Sequence, residues 1–137
     1  MSDIVKRVEY FHTEVKDQPG EGFRLLGSLK EHGVTLISCT AFPTRWGKTK
    51  VTMVPKDSEA LIVAAKAANV PLSVRKTAFL VQGQDRPGAM AEALKRLADA
   101  KVNVTSSNAT VSQDGTFGMI LWVKPKDVEA AARCLSA

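Results

Sequence analysis

The sequence predicts an α+β protein in which one strand–helix–strand–strand–helix unit occurs twice, each antiparallel sheet carrying its helices on one face. Three observations predict it. Asp17, Pro19 and Gly20 recur 68 positions later as Asp85, Pro87 and Gly88, each time ahead of a helical run. The same offset lays Leu26 and Leu29 on Leu94 and Leu97, Val34 on Val102, Ser38 on Ser106, Ala41 on Ala109 and Gly47 on Gly115, with no gap needed until about residue 54. Within each copy the apolar period switches between that of a strand and that of a helix.

The elements follow in order. In the first copy a strand runs to about residue 16, and a helix over 19–32 is ended by Gly33. A strand over 34–42, a turn near Trp46 and Gly47, a strand over 48–54 and a helix over 57–69 complete it. After Pro71, residues 72–76 supply a final strand. In the second copy TAFLVQGQ, 77–84, has a strand's β-branched and aromatic character. Pro87 is expected in the first helical turn, where its missing N–H costs nothing. Met90, Ala93, Leu94, Leu97 and Ala98 then recur at helical spacing, with Glu92, Lys95, Arg96 and Asp99 outside. VNVTSSNATV, 102–111, reads as a strand, Gln113-Asp114-Gly115 as a hairpin turn and FGMILWV, 117–123, as a buried strand. Pro125-Lys126-Asp127 opens a last helix with Val128, Ala131, Ala132 and Leu135 on one face. This order is the βαββαβ plan of a ferredoxin-like sandwich, with one domain over 1–73 and a second over 74–137. The second copy has no fourth strand of its own. The 68-residue offset lays DIVKRV, 3–8, on PLSVRK, 71–76. Residues 3–8 either fill that fourth-strand place or lengthen the first strand.

Composition narrows the function classes. Of 137 residues 45% are hydrophobic, which suits a packed core rather than disorder. No apolar run approaches the roughly 18–20 residues of a membrane span. The start, MSDIVKRVEYF, has no secretory h-region, so a cytoplasmic protein without membrane partners is expected. Cys39 and Cys134 are read as buried reduced thiols. A net charge of +5 permits an anionic partner without demanding one. His12 and His32 have no cysteine or carboxylate at ligand spacing, so no metal and no cofactor is expected; His32 is read as a favourable charge at a helix C-terminus. No serine or cysteine has a histidine within a motif, so the chain is read as non-enzymatic. Arg45, Lys48 and Lys50 around Trp46 are read as a solvated turn.

The chemistry is in the repeated loop. In Asp-x-Pro-Gly, proline pre-sets φ, and glycine lets a ligand or another backbone come close. The first N–H groups of the helix are unpaired and partly positive, which suits a carboxylate. The Asp side chain can cap those groups or pair with an ammonium. An anion site beside a carboxylate matches an α-amino acid, although the same turn is also a serviceable generic helix start.

The stretch DRPGAMAEALKRLADAKVNV resembles the signature of the ACT domain, a small regulatory amino-acid-binding module. It has the D/N-x-P-G turn after the first strand and a Val102-Asn103-Val104 step at the second. The chain as a whole is similar to free-standing proteins with two such copies. The resemblance implies an amino acid held between two domains by the turn and by the Asn of the second strand. On this chain those positions are Asp85, Arg86, Pro87, Gly88, Asn103 and Val104. Their counterparts in the first copy are Asp17, Gln18, Pro19, Gly20 and Thr35. Where some family members carry a His two positions before the D/N, Val15 and Gly83 stand here. Thr35 in place of Asn lacks an NH₂ donor, which makes the second loop the expected working site.

The expected function is therefore a regulatory module that binds a small amino acid, forms a homodimer and signals to an enzyme or regulator. The alternative is a protein- or RNA-interaction module of the same fold with no small ligand. GTFGMILW, 115–122, partly matches an RNA-recognition strand, and Phe79 lies near the first-strand aromatic of that plan. Phe117 and Trp122 face opposite ways, however, so nucleic acid is not the expected partner.

Overall fold

The computed structural model describes residues 3–137. Four α-helices and six strands are found among them: β1 (Ile4–Lys16), α1 (Glu21–Glu31), β2 (Leu36–Pro43), β3 (Lys48–Pro55), α2 (Ser58–Ala67), β4 (Lys76–Gln84), α3 (Ala89–Asp99), β5 (Val104–Val111), β6 (Thr116–Val123) and α4 (Val128–Leu135). A 3₁₀ turn, Pro125–Asp127, leads into α4. The fold is α+β, with antiparallel pairing of β1 with β3, β2 with β3, β4 with β6 and β5 with β6. No helix of the described residues is long and apolar enough to cross a membrane.

The chain divides into two compact units. One is composite, joining the residues up to Val8 to Thr77–Ala137; the other is continuous, Glu9–Lys76. β1 is a single strand of 13 residues, and its first part belongs to the composite unit, its second to the continuous one.

In the composite unit the strands lie in the order β1, β4, β6, β5. Alternate residues Phe79 and Val81 of β4 and Phe117, Met119 and Leu121 of β6 share one buried face. On that face pack Ala89, Ala93 and Leu97 of α3 and Ala131, Ala132 and Leu135 of α4. Val5 of β1 joins this core. Arg7 ties β1 to α4 through two bonds to the Glu129 carboxylate, at 2.9 and 3.0 Å.

In the continuous unit the strands lie in the order β2, β3, β1. Phe11, Val51 and Met53 face Leu25 and Leu29 of α1 and Leu61 and Ala64 of α2. Asp57 caps α2, accepting the Ala60 N–H at 3.2 Å.

Three local expectations need correction. Residues 71–75 are not a strand; Ser73 donates its N–H to the His12 carbonyl at 2.8 Å, and only Lys76 belongs to β4. Pro71 has no N–H for a ladder, and this single bond does not extend into one. Cys39 is exposed on β2 and Cys134 half-buried, both as free thiols. Pro19 and Pro87 lie ahead of their helices, which start at Glu21 and Ala89.

Candidate functional site

Each Asp-x-Pro-Gly stretch folds as a type II β-turn. Ala89 donates its N–H to the Arg86 carbonyl at 3.0 Å, and Glu21 to the Gln18 carbonyl at 3.3 Å. Proline therefore takes the second position of the turn, where its fixed φ fits, and glycine the third, where φ must be positive. Gly88 has φ 79 and ψ 5; Gly20 has φ 88 and ψ −14. That requirement, and not a crowded neighbour, selects glycine: a Cβ at either position would meet nothing within 4 Å.

Neither aspartate caps its helix. Both hold the loop through the backbone, Asp85 N–H to the Gly115 carbonyl at 2.9 Å and Asp17 N–H to the Gly47 carbonyl at 2.8 Å. The Asp17 carboxylate accepts the Thr49 hydroxyl at 3.2 Å, while the exposed Asp85 carboxylate makes no hydrogen bond or ion pair within the described residues.

Arg86 is already engaged. Its Nη1 and Nη2 donate to the two Asp3 oxygens, both at 3.2 Å. It also reaches the Gln84 carbonyl at 2.9 Å and Glu92 at 2.7 Å. The Asp3 side chain, 10% exposed, lies over Gly83, where any Cβ would collide with its carboxylate. Gly83 is thus a close-approach glycine, and a carboxylate from the start of β1 fills the space a side chain at 83 would take. Sequence reasoning missed Asp3; only tertiary pairing brings it to position 83.

The strand-start residues do not join the turns within a unit. Gln84 pairs with Thr116, whereas Val104 pairs with Val123. Asp85 and Asn103 therefore flank opposite ends of β6, seven residue steps or roughly 23 Å apart. The same holds for Asp17, bonded near Gly47 ahead of β3, and Thr35, whose carbonyl accepts the Lys56 N–H at 2.9 Å beyond its other end. Asn103 and Thr35 are exposed; Val104 packs against the core and offers no side chain to a ligand.

Other candidates resolve simply. Phe79, Phe117 and Trp122 are buried, so the composite unit shows no open aromatic platform of the RNA-binding kind. His32 Nδ1 donates to the Ser28 carbonyl at 2.8 Å, within the last turn of α1. No group of His, Cys, Asp and Glu suited to a metal occurs among the described residues.

With this geometry in place, comparison with known proteins separates the two loops. Residues 77–136 match the family model of the ACT domain. The match is to a regulatory, non-catalytic module, and it takes in the DRPG turn and Asn103. No curated protein sequence matches the chain. Solved structures do. A protein from Bacteroides thetaiotaomicron superposes with a TM-score of 0.81 at 11% identity, covering 96% of this chain and 88% of that one. The regulatory subunit of aspartate kinase from Thermus thermophilus gives 0.64 at 15% identity, with 98% and 94% covered. That from Thermus flavus gives 0.62 at 18%, with 99% and 95% covered. At such identities the likeness is one of fold.

Proposed function

We propose that the chain is a cytoplasmic regulatory module of two ACT-like copies, which binds a small amino acid and passes the bound state to an enzyme or regulator. The observation that carries this reading is the recurrence of one type II Asp-x-Pro-Gly turn at the start of a helix in both units, one of them inside the ACT match. Each turn opens a helix whose positive end suits a carboxylate; Glu21 and Ala89 use their own N–H groups in the turn, so the contact falls to the Gly22 and Met90 N–H groups that follow. Asp85 leaves a free carboxylate beside them for an ammonium. The likeness in fold to aspartate kinase regulatory subunits supports an enzyme as the partner.

On this reading residues 3–8 stand as the fourth strand of the composite unit. Because Asp85 and Asn103 sit at opposite ends of β6, a site using both takes the turn from one copy and the Asn103 edge from another. A homodimer supplies that pairing. A thermal-shift series with each of the twenty amino acids tests the reading. Ligand at 100 times its Kd should add about 2.7 kcal/mol of stability. No shift with any amino acid would favour the second reading, an interaction module without a small ligand. That reading draws on Phe23 and Trp46 of the continuous unit, 83% and 90% exposed.

A further inference from the structure

A cavity of about 320 Å³ opens in the continuous unit between β1, α1 and the segment 68–71 that follows α2. It contains none of the Asp-x-Pro-Gly residues. Thr13 lines it, only 4% exposed. Thr13 stands on the helix-facing side of β1 between buried Phe11 and half-buried Val15, and its hydroxyl has no hydrogen bond within the described residues. The hydroxyl oxygen keeps contact with solvent, so its donor and acceptor are open to a small molecule at the cavity wall.

The composite unit shows that the fold does not require it. Counted 68 positions on, Thr13 falls on Val81 and Glu21 on Ala89, both packed in the apolar core. The continuous unit thus carries a hydroxyl and a carboxylate where its counterpart carries plain packing. Glu21, its side chain 16% exposed, is paired with Arg24 at 2.7 Å. Both line the cavity, and Arg24 is 78% exposed, so its guanidinium is open to exchange partners. Glu14 and Lys16 also border the space, but they alternate with Thr13 and Val15, so their side chains belong to the other face of the strand. The polar groups on the helix side are the Glu21 carboxylate, the Arg24 guanidinium, the Thr13 and Ser28 hydroxyls and the Asn69 amide, beside the apolar surface of Val15, Leu25 and Val70.

We propose that this cavity is a ligand chamber for a small zwitterion with an apolar side chain. Its ammonium replaces Arg24 on Glu21, its carboxylate takes the freed Arg24 guanidinium, and Thr13 supplies the hydrogen bond inside. This rests on the amino-acid reading above and adds to the turns a further site in the space below α1. In the composite unit, by contrast, Arg86 is held by Asp3 and Glu92, and Val81 stands at the place of Thr13, packed in the core.

The test is calorimetric titration of the full chain with whichever of the twenty amino acids shifts its midpoint most. Arg24→Gln, at an exposed position, should weaken binding at least tenfold without changing the midpoint of the free protein. Thr13→Val should weaken binding at least tenfold while raising that midpoint, whereas a purely structural threonine would lower it. If an amino acid binds and Asp85→Ala abolishes the binding while Arg24→Gln and Thr13→Val do not, the chamber is overturned and the turns keep the site. If no amino acid binds at all, the functional reading itself fails and the chamber falls with it.

Discussion

At Gly88 the backbone is left-handed and the space around a Cβ is open, so the cost of any side chain there is conformational alone. Gly88→Ala should cost about 1 kcal/mol, the αL penalty less the entropy that alanine saves. Urea denaturation measures it, and an unchanged midpoint would mean that the turn is not held in this form. A β-branched residue at 88 would strain the turn itself, so a loss of binding on such a change does not isolate ligand contact. His12 illustrates a different residue-scale effect. Burial and the nearby Lys50 and Lys76 push its pKa below the usual 6.5, against a smaller opposing effect of Glu14. Its folded-state pKa is depressed, so the unfolded state binds the extra proton first as pH falls. The contribution is fully present above about pH 6.5 and is lost as pH drops through the range below it. Stability measured from pH 7 to 5 should fall, and His12→Gln should flatten that part of the profile; an equal slope in the variant would assign the effect elsewhere.

At the scale of elements, all four α-helices end in the same way. A residue with positive φ follows each one: Gly33, Asn69, Lys101 and Ser136. The next residue then bonds back five positions, Val34 to Leu29, Val70 to Ala65, Val102 to Leu97 and Ala137 to Ala132, at 2.8 to 3.1 Å. This is the Schellman arrangement, which satisfies orphan carbonyls and seats an apolar residue against the last turn. Lys101 occupies a place best suited to glycine, as its counterpart Gly33 does. Lys101→Gly should therefore raise stability by about 0.5–1 kcal/mol in chemical denaturation. A lower midpoint would show that the Lys101 side chain contributes more than its backbone costs. The helix ends were readable in the sequence at Gly33 but not at Lys101, because left-handed lysine has no compositional signal; the bond from Val102 to Leu97 imposes it.

For the whole molecule, β2 and β5 each have a single strand neighbour, and such edges are covered or paired in stable proteins. The proposed turn-and-edge site also needs a second copy. Sedimentation at micromolar concentration should show a dimer; a monomer would remove the route by which Asp85 and Asn103 could share a ligand. The sequence by itself determined the α+β class, the order of elements apart from the strand expected over 72–76, and the place of the two Asp-x-Pro-Gly stretches ahead of their helices. These are set by local periodicity, by the fixed φ of proline and by the positive φ open to glycine. The central candidate pair was legible as two residues and not as a distance, since the strand register that puts Asp85 and Asn103 at opposite ends of β6 is a long-range property. The tertiary structure alone decided that Asp3 would occupy Arg86 over Gly83, 80 positions away in the chain. It alone decided that Thr13 would stand beside an open space while Val81 packs into the core. Burial and empty volume arise when distant elements pack, and no local pattern of residues encodes them.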